Sequence, residues 1–167
     1  QIEQKTSARL GEVKEKADEA CGHIMGHILL AQEDAVMKNA VAVCDRVSGN
    51  IRRNCFDGIF MENITRENLE AHQVAQKFAL TKEASIGLEK NCKQYGGEAG
   101  RSCWRELVHI YTPLTSDDPE QVYGLCYQSD NLEYAKECYM HGINLMILSD
   151  DFSRENLAAL CKPYFKS

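Results

Sequence analysis

Eight cysteines at positions 21, 44, 55, 92, 103, 126, 138 and 161 constrain this chain of 167 residues more than any other feature. They separate into two interleaved series, Cys21, Cys55, Cys103, Cys138 and Cys44, Cys92, Cys126, Cys161. Steps within the first series are 34, 48 and 35, and within the second 48, 34 and 35, so a period of 34 to 35 is broken once by an insertion of about 14 residues. That period is the length of an αα repeat. Residues 21–44, 103–126 and 138–161 share a C-x22-C spacing, 55–92 is longer, and these four units use all eight cysteines. An even, evenly spread set is what an oxidising compartment permits. The expected location is therefore extracytoplasmic, periplasmic or secreted, with every cysteine in a disulfide. No C-x2-C or C-x2-C-H spacing occurs, so a zinc ribbon and a c-type haem site fall away.

Between paired cysteines the sequence reads as two helices and a turn. Ile24, Ile28 and Leu30 give way to Gln32-Glu33-Asp34, after which Ala35, Val36, Ala40, Val41 and Val43 resume an apolar helical face. Asp34 is a predicted N-cap. Asp118-Pro119 places an acid ahead of a proline, the order expected of N-cap and first helical residue. Thr65-Arg66-Glu67-Asn68-Leu69 returns as Ser153-Arg154-Glu155-Asn156-Leu157, and each is predicted to open a helix at its hydroxyl. Ser48-Gly49-Asn50, Gly96-Gly97 and Ser129-Asp130-Asn131 carry the turn chemistry of linkers. Helices are predicted near 3–31, 35–47, 52–63, 66–80, 82–92, 100–111, 119–127, 131–148 and 154–165. The expected fold is all-α: one domain over 1–167, in which a capping helix at 1–20 precedes a right-handed, solenoid-like array of four disulfide-stapled helical hairpins, 21–44, 55–92, 103–126 and 138–161.

Two pairings fit the spacing. Open-end staples join Cys21 to Cys44, Cys55 to Cys92, Cys103 to Cys126 and Cys138 to Cys161. Linker staples join Cys44 to Cys55, Cys92 to Cys103 and Cys126 to Cys138, and leave Cys21 and Cys161 to each other. Stacked repeats hold their ends apart, which favours the first.

Helical repeats of about 35 residues with one cysteine opening the first helix and one closing the second resemble the disulfide-bridged SEL1-like repeat proteins, relatives of the tetratricopeptide fold. Cys55-Phe56-Asp57-Gly58 and Cys138-Tyr139-Met140-His141-Gly142 carry the likeness, a cysteine followed by a small residue where helices approach. The resemblance implies an interaction scaffold outside the cytosol that binds a protein or peptide, with no catalytic residue to carry over.

Composition excludes other classes. With 19 basic against 25 acidic residues and a net charge of -6, the chain has no positive excess with which to displace counterions from a phosphate backbone. Its apolar runs, such as Ile143–Leu148, fall short of the roughly 18 residues a membrane span needs. The first twenty residues are charged, without the apolar stretch of a signal peptide, so an exported chain would have Gln1 at or after its processing site. No G-x-S-x-G segment, P-loop or dinucleotide fingerprint is present, and a noncatalytic protein is expected.

Gly22-His23-Ile24-Met25-Gly26-His27 is the most chemical segment. Histidines four apart share a helix face, the spacing by which two imidazoles hold a transition metal. On the competing reading the glycines let helices pack closely and the imidazoles make structural hydrogen bonds. The sixth residue after each leading cysteine is His27, Met61, His109 or Asn144, four positions that stacking would align on one ligand-binding surface. Trp104 leads a tyrosine-rich second half in which polar-tipped aromatics suit an interface hot spot and a repeat core equally. The expected function is thus a noncatalytic scaffold without a cofactor, the alternative a protein binding a metal or small ligand through His23 and His27.

Overall fold

The computed structural model describes residues 2–32, 36–75, 89–114 and 118–149, with side chains for 11–32, 36–63, 89–109 and 118–147. All regular structure among them is helical: α1 (Ile2–Gln32), α2 (Met37–Cys44), α3 (Gly49–Ala75), α4 (Gly97–Leu114), α5 (Pro119–Cys126) and α6 (Leu132–Ser149), with a further helical turn at 89–92. No described helix is long and apolar enough to cross a membrane.

Three disulfides are formed, Cys44–Cys55, Cys92–Cys103 and Cys126–Cys138, with Cα–Cα separations of 5.7, 5.4 and 5.6 Å. The open-end pairing expected from the spacing is therefore incorrect: the linkers are stapled. The reason lies in three near-identical turns. After Cys44, Cys92 and Cys126 the chain closes one turn through the N–H of Val47, Tyr95 and Ser129, each donating to the carbonyl of that cysteine. Five residues after the cysteine comes the entry to the next helix. At Gly49 and Gly97 the backbone is left-handed, φ 61° and 59°, a conformation glycine adopts without steric cost. At the third turn Asn131 accepts from the N–H of Glu133 and Tyr134 and caps α6. The chain thus doubles back within a dozen residues, and the leading cysteine of the new helix meets the trailing cysteine of the old one. Cys21 forms no disulfide among the described residues and is exposed; Cys161 lies outside them.

Two further expectations change. α3 runs unbroken from Gly49 to Ala75, so Thr65 does not open a new helix. A hydroxyl caps only where the backbone leaves helical geometry, and Asn63-Ile64-Thr65 contains no glycine or proline to make it do so. Asp34 lies outside the described residues; α2 begins after Val36 without a side-chain cap. The expected cap at Asp118 is present: its carboxylate accepts from the N–H of Glu120 at 3.0 Å and from Gln121 Nε2 at 2.9 Å, with Pro119 next in line. The Gln121 bond contributes most to holding its carboxyl below the usual value of 3.8. Ser153 and the helix expected at 154–165 lie outside the described residues.

The chain divides into two compact units, Gln1–Asn63 and Ile64–Ser167. In the first, the apolar interior is Leu30, Ala40, Phe56, Ile59 and Phe60 with the Cys44–Cys55 bridge. Here α1 lies on α3 at glycine distance: a Cβ on Gly22 would meet the backbone of Ile51, and one on Gly26 the backbone of Cys55, Gly58 and Ile59. In the second, α4 packs along α6 with α5 against both. Trp104, Leu107, Val108, Val122, Leu125, Tyr139 and Met146 fill its core. Val122 and Val108 reach into the space that a side chain at Gly142 would take.

Candidate metal centre

Unit two places Glu106 and His109 one turn apart on α4, and His141 on the facing α6. Glu106 Oε2 lies 3.2 Å from His109 Nε2, which lies 2.9 Å from His141 Nε2. The three ligand atoms fall within 4.8 Å of one another. The other carboxylate oxygen, Oε1, lies 3.6 Å from Arg105 Nε, and the Glu106 residue is 3% exposed. A carboxylate taken this far from water needs compensation from hydrogen bonds or opposite charge. Burial pushes the His141 imidazole down to about 4, against the pull of Glu106, so this ring is neutral at physiological pH.

The geometry is that of a ligand set. A ring nitrogen has one in-plane bonding direction, so a single proton on His109 Nε2 cannot serve both the carboxylate and the second imidazole. One cation amid the three atoms would satisfy them together. Metal–nitrogen bonds of about 2.0–2.1 Å at tetrahedral angles put neighbouring ligand atoms about 3.3 Å apart, close to the separations of His109 Nε2 from Glu106 Oε2 and from His141 Nε2. Two imidazoles and a carboxylate suit zinc and its neighbours in the first transition row.

Unit one holds the histidine pair that the sequence singled out. His23 and His27 share a face of α1 with Nε2 atoms 3.2 Å apart and rings edge to face, and His27 Nδ1 lies 2.8 Å from Glu62 Oε2 on α3. The glycine packing expected beside them is present as well. Four of the chain's five histidines thus stand in two His–His–Glu clusters.

The other sequence candidates fall in both units. His27 and His109, each six residues after a leading cysteine, are the central member of their clusters. Met61 is half-buried on α3 and Asn144 exposed on α6. Trp104 is 2% exposed and belongs to the core, which decides against its use at an interface. Glu62, Glu106 and His141 were missed by sequence reasoning. A signal for two of them existed: Glu106 and His141 each stand three residues after a leading cysteine, Cys103 and Cys138.

No family model, curated protein or solved structure matches the chain.

Proposed function

We propose that this is a noncatalytic extracytoplasmic protein that binds a divalent transition-metal ion, zinc foremost, between α4 and α6. The observation that carries the reading is that ligand atoms of Glu106, His109 and His141, from two packed helices, lie within 4.8 Å of one another. Supporting it, the cross-helix ion pair of Arg101 with Glu137 and the Cys126–Cys138 bridge hold α4, α5 and α6 in register, so the donors are preorganised. Three disulfides fit an oxidising location, where a histidine and carboxylate site serves better than a thiolate one. Untagged protein loaded with zinc and desalted should retain the ion at this centre, and His109→Gln and His141→Gln should each remove one equivalent. Full retention by both variants, with unchanged helicity, overturns the reading.

A second reading, a scaffold for a protein or peptide, is favoured by large apolar side chains left in water on two helices. Ile24 and Ile28 stand exposed on α1, and Met140 and Ile147 on α6. Isolated apolar residues are ordinary on a surface, so this rests on weaker ground than the ligand set.

A further inference from the structure

We infer that His23 and His27 form a second, more open metal centre in unit one, taking a divalent transition ion in the order copper above zinc, with Glu62 as the residue that orients His27. It stands on geometry separate from the α4–α6 centre.

Two atoms do the binding. His23 Nε2 and His27 Nε2 converge at 3.2 Å, the spacing two imidazole nitrogens take on one tetrahedral ion. The third group acts through the ring. Because His27 Nδ1 faces Glu62 Oε2 at 2.8 Å, the Nδ1–H donates to the carboxylate and Nε2 is left with its lone pair toward His23. A carboxylate on the far nitrogen of a ligating histidine fixes its tautomer and raises its basicity.

The backbone holds the arrangement rigid. Gly22 and Gly26 flank His23 and precede His27 on the side of α1 that lies on α3, and Gly58 answers from α3. Without side chains between them the helices come close enough for Glu62 to reach His27. Glu62 stands one turn past Gly58 on α3, as His27 stands one residue past Gly26 on α1.

The ligand count separates the two centres. Glu106 offers an oxygen directly to the ion site, whereas Glu62 is engaged on the opposite side of a ring. Among the described residues unit one therefore supplies two protein donors, His23 and His27, and leaves the remaining coordination positions to water or an outside ligand. A site with two imidazoles and open positions binds reversibly, and with no thiolate it follows the ordinary order of affinity among divalent ions, copper above zinc.

The test uses untagged full-length protein treated with iodoacetamide without reduction, so that no free thiol takes metal. Copper(II) and zinc(II) are titrated by calorimetry into the wild type, His141→Gln, His27→Gln, Glu62→Gln and the double variant His27→Gln/His141→Gln, with helicity and melting temperature checked for each. Two equivalents are expected for the wild type, one each for His141→Gln and His27→Gln, and none for the double variant. Glu62→Gln should keep its second equivalent at about 10- to 100-fold weaker affinity. In His141→Gln the copper resonance spectrum should show two nitrogen ligands, lost on His23→Gln. Binding of two equivalents by folded His27→Gln overturns the second centre. A single equivalent in the wild type that His141→Gln removes overturns it while sparing the α4–α6 site; a single equivalent that only His27→Gln removes does the reverse.

Discussion

Gly26 of α1 and Gly58 of α3 meet with only backbone between them: a Cβ on Gly26 would lie 2.9 Å from Gly58 Cα, and one on Gly58 3.2 Å from Gly26 Cα. No side chain can be accommodated there by turning a neighbour aside, because the obstacle on each side is the main chain of the opposite helix. The contact sets the separation of α1 and α3, and with it the reach of Glu62 to His27.

Gly58→Ala should accordingly destabilise the protein by about 2–3 kcal/mol, the cost of overpacking outweighing the roughly 1 kcal/mol that alanine gains over glycine in a helix. Gly124→Ala is the control. Gly124 lies inside α5 with open space where a Cβ would go, so the same substitution should stabilise by about 0.5–1 kcal/mol. Urea unfolding of both variants checks the opposite signs. Equal effects would show that helix propensity, not the approach of α1 and α3, governs both sites.

Asp118 supplies the pH-dependent prediction. Its carboxyl is held below the usual value of 3.8, chiefly by Gln121 and further by the N–H groups that it caps. A carboxyl whose value is lower folded than unfolded contributes stability above the unfolded value and loses it as pH falls. Asp118→Ala should cost about 1 kcal/mol at neutral pH. The gap between variant and wild type should narrow as pH falls below about 4. A gap of constant size down to pH 2 would show that the carboxylate charge plays no part in the cap.

Much of the helical framework was legible because it is carried by local signals. The cysteine period located the helix-bearing segments, Asp118-Pro119 marked the start of α5, and Ser129-Asp130-Asn131 marked the turn into α6. The pairing was not legible, because a repeat of 34 to 35 residues is the same repeat whether its boundary is drawn before or after the trailing helix. What decides is that the chain reverses within five residues of Cys44, Cys92 and Cys126, a short-range turn that the longer period conceals. For the site, the i, i+4 spacing of His23 and His27 showed a shared face, but His141 reaches His109 only through the packing of α6 on α4, which no spacing along the chain expresses. Trp104 was ambiguous for the related reason that an amphipathic aromatic suits either environment until its neighbours are known.

Connectivity can be checked directly. Non-reducing digestion with cleavage between Glu106 and Glu120 should release the peptide containing Trp104 linked to the one containing Cys92, and should leave Cys126 joined to Cys138. A linked pair containing Trp104 and Tyr127 would restore the open-end pairing. Cys126→Ala/Cys138→Ala opens a loop of about a dozen residues and should destabilise by about 3 kcal/mol in the chain-entropy account.

Metal should stabilise the fold in a way that reports on the α4–α6 centre by itself. An ion held by Glu106, His109 and His141 ties two helices together and has no equivalent set in the unfolded chain, so binding adds directly to folding free energy. At a free zinc concentration 100-fold above the dissociation constant, each occupied site should add about 2.7 kcal/mol. His109→Gln removes the central donor and should abolish the part of the gain due to this site, while His23→Gln should leave that part intact. Glu106→Gln keeps the side-chain shape but withdraws the charge, so it should retain its fold and lose zinc affinity. The measurement is thermal unfolding of untagged protein with zinc and then with a chelator. A zinc-induced rise in melting temperature that survives unreduced in His109→Gln and Glu106→Gln alike would place the stabilising ion elsewhere on the chain.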